Sequence, residues 1–352
     1  MKKLPFKKFG RAKKAIPSRI TNETVAEHRE RILAGGRRFK YPMQYARHRL
    51  VFNTIIVTVV TLTLLALVGW WQLYPVQNTS SFFYRVARVL PLPVAAVDGE
   101  SIRYSDYLMY YNSSAHYLQQ SEQVNLKSED GKRQLDYIKR KSMDNVIADG
   151  YAKKLARELH ISVSDSRVDQ IISADRDTAN GRISQETYDA SALSILGWSP
   201  DEYRQDAQSK LIRQDVSYAI DTAAKHKEEQ AATLLQAKDA DLDKIALQLG
   251  GSNDGKVTAG VSGMVPRTNR DGGLSAAAAK LEKGQISSVI KTTTGDGYYF
   301  VKLLDKNDTQ VSYAYIRIPL TAFSEKLDAL RKEGKIHEYI SIPSIDNQQI
   351  NQ

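Results

Sequence analysis

Cysteine is absent from the 352-residue sequence. This excludes disulfides, a thiol nucleophile, thiolate metal sites and a lipid-modified cysteine anchor, so a domain outside the cytoplasm would have to be stable through its core alone. The histidines beyond residue 100 stand alone, without the spacing of a metal site or a catalytic triad: His116, His160, His226 and His337. We therefore expect no cofactor and no metal ion.

Charge is missing from the stretch between Leu50 and Tyr84. The part up to Trp71 is also apolar, and about 20 helical residues cross a hydrocarbon core of about 30 Å. We predict one transmembrane helix over residues 50–74, with aromatic residues at its outer interface: Trp70, Trp71 and Tyr74. A buried core helix and a cleaved signal peptide are the alternatives. A signal peptide would have an unusually long positive region and no evident small-x-small cleavage site before Phe82.

Basic residues are concentrated before this helix. Residues 1–49 contain fifteen Lys and Arg against three acidic residues, whereas the rest of the chain holds 35 basic and 37 acidic residues. The positive-inside rule places the N-terminus in the cytoplasm and the larger part outside it, anchored in the cell membrane. We expect residues 1–49 to be mostly disordered, with a short helix over 24–33, and to be drawn to anionic lipid. Contact with nucleic acid is less favoured, because few aromatic residues lie among the charges.

A linker over residues 75–93 follows the predicted anchor. Arg85 and Arg88 interrupt its apolar run, a pattern that suits a segment lying on the membrane surface rather than crossing it. The Asp98-Gly99 pair between apolar runs then predicts a β-hairpin with a type I′ turn.

Helical patterns fill the rest of residues 94–226. Apolar spacing predicts helices from Ser105 to Gln120 and over 132–159, with Ser164 as the cap of a third. Ser199 starts a further helix, because Pro and Glu follow it at the positions of a capping box. Three tyrosines of the first helix could line a groove for unfolded chains or pack in the core, and both interpretations stay open: Tyr107, Tyr110 and Tyr111.

From residue 227 the pattern becomes mixed. Two short helices are predicted over 228–237 and 241–249, and three strands over 288–292, 298–304 and 310–319. A final helix (321–334) and a terminal strand (339–342) belong to a C-terminal segment, 320–352. The predicted fold class is α+β: one transmembrane helix, a helical domain, and an antiparallel sheet with helices.

Two stretches of the helical region carry a family resemblance. Val94-Ala-Ala-Val-Asp-Gly-Glu-Ser-Ile-Arg-Tyr-Ser-Asp-Tyr107 resembles the opening hairpin and first helix of the SurA N-terminal domain. The stretch Ala152–Val168, which contains Leu-His-Ile-Ser-Val-Ser-Asp-Ser-Arg-Val, resembles its helix–turn–helix joint. Further on, Leu281-Glu-Lys-Gly-Gln-Ile-Ser287 and Gly297-Tyr-Tyr-Phe-Val-Lys-Leu303 are similar to two parvulin signatures. The chain thus resembles the SurA-type and PrsA-type extracytoplasmic foldases. The resemblance implies a chaperone domain over 94–226 and a parvulin-like (FKBP-like) domain over 227–319.

The resemblance also implies a set of site residues. Leu274 falls where a parvulin pocket phenylalanine packs on the substrate proline, and Met264 and Leu281 complete the expected substrate-binding set. Tyr299 replaces the histidine of the Gly-Tyr-His signature, and Asp254 would be the polar pocket group. The family's first strand is missing before residue 228. A similar strand at 313–318 would supply it by circular permutation if it paired with 298–304, and Tyr315 would then replace the second histidine.

Three functions remain open on the sequence. The first is a membrane-anchored foldase or holdase whose partners are unfolded or nascent exported polypeptides. The second is a peptidyl-prolyl isomerase with a tyrosine-substituted site. Isomerisation has a barrier of about 18–20 kcal/mol and needs little acid–base chemistry, so an apolar pocket could suffice. The third is a non-catalytic envelope scaffold that grips one fixed partner.

Overall fold

The computed structural model describes residues 21–40, 42–178, 181–237, 240–250, 257–292 and 294–343. They form twelve helices and antiparallel sheets, so the predicted α+β class is confirmed. The chain divides into two compact units, one ending at Trp71 and one beginning at Gln72.

The first unit is helical wherever it is described. Helix α1 spans Asn22–Lys40 and helix α2 spans Pro42–Leu73. The predicted short helix over 24–33 is therefore confirmed, and it extends over residues 22–40. Disorder was the wrong expectation only for the flanking residues 22–23 and 34–40, because strong helix formers such as Ala, Arg, Glu and Leu outweigh the charge pairs. Within the described residues, one segment is long and apolar enough to cross a membrane, His48–Leu73 of α2. This agrees with the predicted helix over 50–74.

The second unit opens with a helix and the predicted hairpin. Helix α3 spans Ser81–Val89, and strands β1 (Pro93–Val97) and β2 (Glu100–Arg103) pair antiparallel. Asp98 and Gly99 have φ values of 47° and 83°. Positive φ at both central residues is the signature of a type I′ turn, so the hairpin prediction is confirmed.

Five helices form the body of the helical domain: α4 (Tyr104–Gln120), α5 (Glu129–Glu158), α6 (Asp165–Asp175), α7 (Gln185–Leu196) and α8 (Pro200–Ile220). Two short strands, β3 (Asp177–Thr178) and β4 (Gly181–Arg182), pair between α6 and α7. Ser164 caps α6 and Ser199 forms the predicted capping box with Glu202. The centre of the domain consists of large side chains that are almost fully buried, namely Tyr104, Tyr107, Leu108, Met143 and Ile147.

The mixed part of the chain contains three helices and a five-stranded sheet. They are α9 (Thr222–Leu234), α10 (Leu242–Gly250), β5 (Thr258–Val261), β6 (Val265–Pro266), α11 (Leu274–Ala278), β7 (Ile290–Lys291), β8 (Gly297–Lys306) and β9 (Gln310–Pro319). The strand order is β5-β9-β8-β7, and β6 also pairs with β9. Strands β8 and β9 form a long hairpin in which Val301 lies opposite Tyr315. One face of the sheet packs on α9 and α10, and the other packs on α11.

The end of the chain returns to the helical domain. Helix α12 (Ala322–Lys332) brings Phe323 against Tyr151, with ring centroids 5.6 Å apart, and strand β10 (Ile336–Glu338) pairs with β1. The terminal strand thus precedes the predicted range of 339–342, where Ile340 instead packs in the core. Asp221 connects the start of α9 to the start of α12. One of its carboxylate oxygens caps α9, and the other accepts hydrogen bonds from the main-chain N–H groups of Thr321 and Ala322.

Candidate functional site

The helical domain contains an open groove of about 830 Å³ between α3, α4 and the junction of α7 with α8. We call it the helical groove. Part of its lining is apolar, as in Met109, Ala115, Leu126, Leu135, Leu196 and Trp198. The rest is polar or charged, as in Arg85, Arg88, Asn112, His116, Gln119 and Glu202. A lining of this mixed kind can take apolar side chains and also hydrogen-bond to an extended backbone.

Trp198 and Gly197 shape one wall of the helical groove. The Trp198 indole N–H donates to the main-chain oxygen of Met109 at 3.4 Å, and its ring meets that of Tyr110 edge-on at 6.2 Å. Gly197 ends α7 with φ of 68°. A Cβ atom at this position would lie 3.2 Å from the His116 ring. Both the left-handed conformation and the close approach therefore favour glycine here.

Glu202, at the start of α8, also lines the helical groove. Its carboxylate accepts hydrogen bonds from the Tyr84 hydroxyl and from the Ser199 main-chain N–H, the latter at 2.7 Å. Burial alone would raise the pKa of Glu202, but the hydrogen bonds from Tyr84 and Ser199 outweigh it and lower the pKa. Burial raises the pKa of Tyr84, and the bond to Glu202 raises it further. The pair therefore holds α3 against the start of α8 as a charged acceptor and a neutral donor.

Tyr107, Tyr110 and Tyr111 of α4 differ in their burial and in their contact with the helical groove. Tyr107 and Tyr111 stack with centroids 6.1 Å apart, and Tyr107 is 1% exposed, so it has no surface to offer a bound chain. Tyr111 is also buried but lies in the groove lining. Tyr110 points its hydroxyl at two carboxylates, 2.8 Å from Asp149 and 3.0 Å from Asp206. Core packing thus accounts for Tyr107, and only Tyr111 of the three lies in the groove lining.

Asp149 and Asp206 form a buried acidic pair that was not predicted from the sequence. Each is 5% exposed, and basic groups lie nearby: Lys210 Nζ is 2.7 Å from Asp206, and Arg213 is 3.7 Å from Asp149. Burial raises the pKa of Asp149, and the Arg213 charge only partly opposes this. The signal in the sequence was an acid within the buried stripe of α5, directly after Ile147 and Ala148. Nothing in the sequence indicated its partners.

The second group of predicted residues lies on the α11 face of the sheet. Tyr299 and Tyr315 have ring centroids 6.0 Å apart, and they share an apolar cluster with Leu274 and Leu281. Tyr313, which the sequence analysis did not single out, lies beside Tyr315 at 6.3 Å. The structure therefore brings together both predicted tyrosines and two of the predicted substrate-binding residues. We call this group the tyrosine cluster.

Two aspartates hold hydroxyl groups of the tyrosine cluster. The Tyr299 hydroxyl donates to Asp296 at 2.6 Å, and the Tyr313 hydroxyl donates to Asp271 at 2.7 Å. Burial and these hydrogen bonds raise the pKa of both tyrosines, so the hydroxyls are neutral. Burial opposes ionisation of both aspartates, but the hydrogen bonds they accept lower their pKa. Neither aspartate was predicted from the sequence, because loop residues give no periodic signal.

The remaining predicted site residues lie elsewhere. Met264 is 44% exposed between β5 and β6, outside the tyrosine cluster as it is described. Asp254 falls outside the described residues. Gly260 is an additional constraint, because a Cβ atom there would lie 2.7 Å from the Tyr315 hydroxyl. The Tyr315 ring therefore covers the backbone of β5 at a glycine.

Comparison with known proteins identifies the helical part. Residues 43–217 match the family model of a SurA-like N-terminal domain, a range that contains the whole helical groove and the buried acidic pair. No curated protein matches the chain. The tyrosine cluster lies beyond the matched range. The chain therefore carries a SurA-like N-terminal domain over residues 43–217.

Proposed function

We propose that this protein is a membrane-anchored, extracytoplasmic folding factor that holds unfolded exported polypeptides in the helical groove. The observation that carries the proposal is the coincidence of the 830 Å³ groove with the SurA-like domain. An unfolded chain presents apolar side chains and unpaired backbone groups together. The leucines and the tryptophan of the lining can contact the apolar side chains, and its amide, arginine and histidine side chains can hydrogen-bond to the backbone.

The anchor would keep the groove where exported chains emerge. The apolar segment His48–Leu73 supports a single membrane crossing, and the basic excess before it supports a cytoplasmic N-terminus. The basic tail would add attraction to anionic lipid. Tethering raises the local concentration of the groove at the membrane, so weak contacts with each client suffice.

The C-terminal domain is proposed to be parvulin-like and circularly permuted. The pairing of β9 with β8 meets the requirement that the strand at 313–318 lie beside 298–304. In this register Tyr299 and Tyr315 lie on one face, close to Leu274 and Leu281. These positions would be those of the two family histidines and the proline-contacting wall, with Met264 at the rim and Asp254 as the polar group.

Prolyl isomerase activity is a second candidate function, favoured by that cluster. The hydroxyl of Tyr299 is neutral and already bonded to Asp296, so it cannot serve as a charged catalyst. Catalysis would instead rest on an apolar wall that favours the twisted amide over the planar one. The test is isomerisation of a proline tetrapeptide by the full-length protein in detergent. A rate equal to that of buffer would leave the holding function alone.

In-cell cross-linking tests the main proposal. A photo-cross-linking amino acid at Leu126, in the groove lining, should capture many different exported polypeptides. The same group at Leu247, which is 81% exposed on α10, is the matched control and should capture few. A single stoichiometric partner at Leu126 would contradict the proposal and support the scaffold function.

A further inference from the structure

Helix α3 presents an outward face that carries exposed apolar side chains. Phe82 is 66% exposed and Val89 is 81% exposed. Seven residues are close to two helical turns, so these two side chains lie above one another on the same side of the helix. The opposite side of α3 packs on the domain through Phe83, Tyr84 and the buried Ala87.

Basic residues accompany this apolar face. Arg85 lies one turn from Phe82, Arg88 is the residue before Val89, and both are exposed. Aromatic and aliphatic side chains next to exposed arginines are the composition of helices that lie in the interface of an anionic bilayer. The exposed Leu90 and Val76 extend the apolar surface at either end.

The start of α3 is also held close to the end of α2. Leu73, the last residue of α2, is 1% exposed, and its main-chain oxygen accepts a hydrogen bond from the Tyr104 hydroxyl at 2.6 Å. The connecting turn is fixed as well, because the main-chain N–H of Asn78 donates to the Gln72 oxygen at 2.9 Å. Gln77 in the same turn donates to Ser341 at 2.6 Å.

These bonds fix the turn that follows the last residues of α2. Only the seven residues 74–80 separate α2 from α3, a length that reaches at most about 25 Å when fully extended. The bonded turn is shorter than that limit. Gln72 and Leu73, the last two residues of α2, therefore belong to the same compact unit as α3.

We propose that the outward face of α3 rests on the membrane that α2 crosses, with Phe82 and Val89 at the boundary of the acyl chains and Arg85 and Arg88 at lipid phosphates. The proposal rests on the proposed membrane anchoring and adds a second, peripheral contact to it. Because Arg85 and Arg88 also line the helical groove, clients would be bound next to the lipid surface.

Lipid quenching in nanodiscs tests this contact with the full-length chain. The absence of cysteine allows single-cysteine variants to be labelled with an environment-sensitive fluorophore. Val89→Cys reports the proposed contact, and Leu247→Cys is the matched control because both side chains are 81% exposed. Val60→Cys reports the anchor itself, since residue 60 lies within the apolar segment. Spin-labelled lipid in the same discs supplies the quencher.

The proposal predicts a blue-shifted emission and lipid quenching at positions 60 and 89, and neither at position 247. Quenching at 60 but not at 89 would overturn this inference and leave the anchoring intact. No quenching at either position would overturn both. A blue shift at 89 without quenching would mean that α3 is covered by protein, either a second copy of the chain or a client. That result would also contradict the proposed contact with lipid. Replacing Arg85 and Arg88 by glutamine should reduce the quenching at 89 in discs that contain anionic lipid.

Discussion

The hydroxyl group of Tyr110 lies 2.8 Å from a carboxylate oxygen of Asp149, and this contact joins α4 to α5 inside the SurA-like domain. The same hydroxyl is 3.0 Å from Asp206 on α8. A tyrosine has one hydroxyl proton and can donate to one carboxylate at a time. The contact therefore fastens three helices around the acidic pair, and the ring of the same tyrosine meets Trp198 of the helical groove.

Removal of this hydroxyl should destabilise the domain. Tyr110→Phe leaves two buried carboxylates without their shared donor, and an unsatisfied buried group costs about 1–3 kcal/mol. We expect the free energy of unfolding to fall by about that amount in chemical denaturation followed by circular dichroism. Tyr117→Phe is the control, because Tyr117 on the same helix is 40% exposed. Equal effects of the two substitutions would contradict the role of Tyr110.

Asp149 should also give the stability a recognisable pH dependence. Its folded-state pKa is raised above the ordinary value of 3.8, chiefly by burial. The folded protein therefore binds this proton more tightly than the unfolded chain, and Asp149 destabilises the fold progressively as the pH rises from 3.8 through the folded pKa. Asp149→Asn removes this effect. The unfolding free energy of the variant minus that of the wild type should therefore increase as the pH rises through this window.

The carboxylates with lowered pKa act in the opposite sense. Glu202, Asp271 and Asp296 stabilise the fold above their unfolded pKa values, and this contribution is lost as the pH falls through their folded values. They are common to the wild type and the Asp149 variant, so the difference between the two chains isolates Asp149. A difference that stays constant or decreases with rising pH would contradict the assignment.

Asp221 should be among the most sensitive single positions. It is 2% exposed, and its two oxygens accept main-chain hydrogen bonds at the starts of α9 and α12. Since each lost cap costs about 1 kcal/mol, Asp221→Ala should lower the free energy of unfolding by about 2 kcal/mol or more. Asp241→Ala is the matched control, because Asp241 is an exposed residue that caps α10 alone. A smaller loss at Asp221 than at Asp241 would be inconsistent with the double cap.

Replacement of Gly197 should destabilise the domain, because its backbone conformation and its close neighbour both favour glycine. Alanine at this position would take a left-handed conformation, which costs about 1–2 kcal/mol, and would press on the His116 ring. We expect Gly197→Ala to lower stability by that amount and to change the emission of Trp198 in a chain whose Trp70 and Trp71 are phenylalanine. Gly181→Ala, where a Cβ would meet open space, should leave Trp198 emission unchanged.

Local signals in the sequence were sufficient for many elements. The Asp98-Gly99 turn and the Ser199 capping box were predicted because each depends on a few neighbouring residues. Only the middle of the helix over 22–40 was predicted, as 24–33, because the glycines and the charge pair that follow resemble a disordered tail. Pairings distant in the sequence could not be predicted, such as β1 with β10, since register is set by the packed core rather than by the short strand itself.

The candidate sites also differ in how far local sequence signals predict them. The tyrosine cluster was anticipated from a signature in β8 and a strand pattern in β9, both of which are local. The buried acidic pair was not, because Tyr110, Asp149 and Asp206 come from three helices and meet only in the folded domain. The helical groove likewise depends on how α3, α4 and α7 pack, which periodicity does not reveal.

Client protection tests the central claim most directly. The full-length protein in detergent is added in several-fold excess to a chemically denatured client, and aggregation is followed by light scattering after dilution. Leu196→Glu places a charge in the groove lining, whereas Leu193→Glu changes a 58% exposed side chain on the same helix. We expect the wild type and Leu193→Glu to slow aggregation and Leu196→Glu to protect less. No protection by the wild type, or equal protection by the two variants, would contradict it.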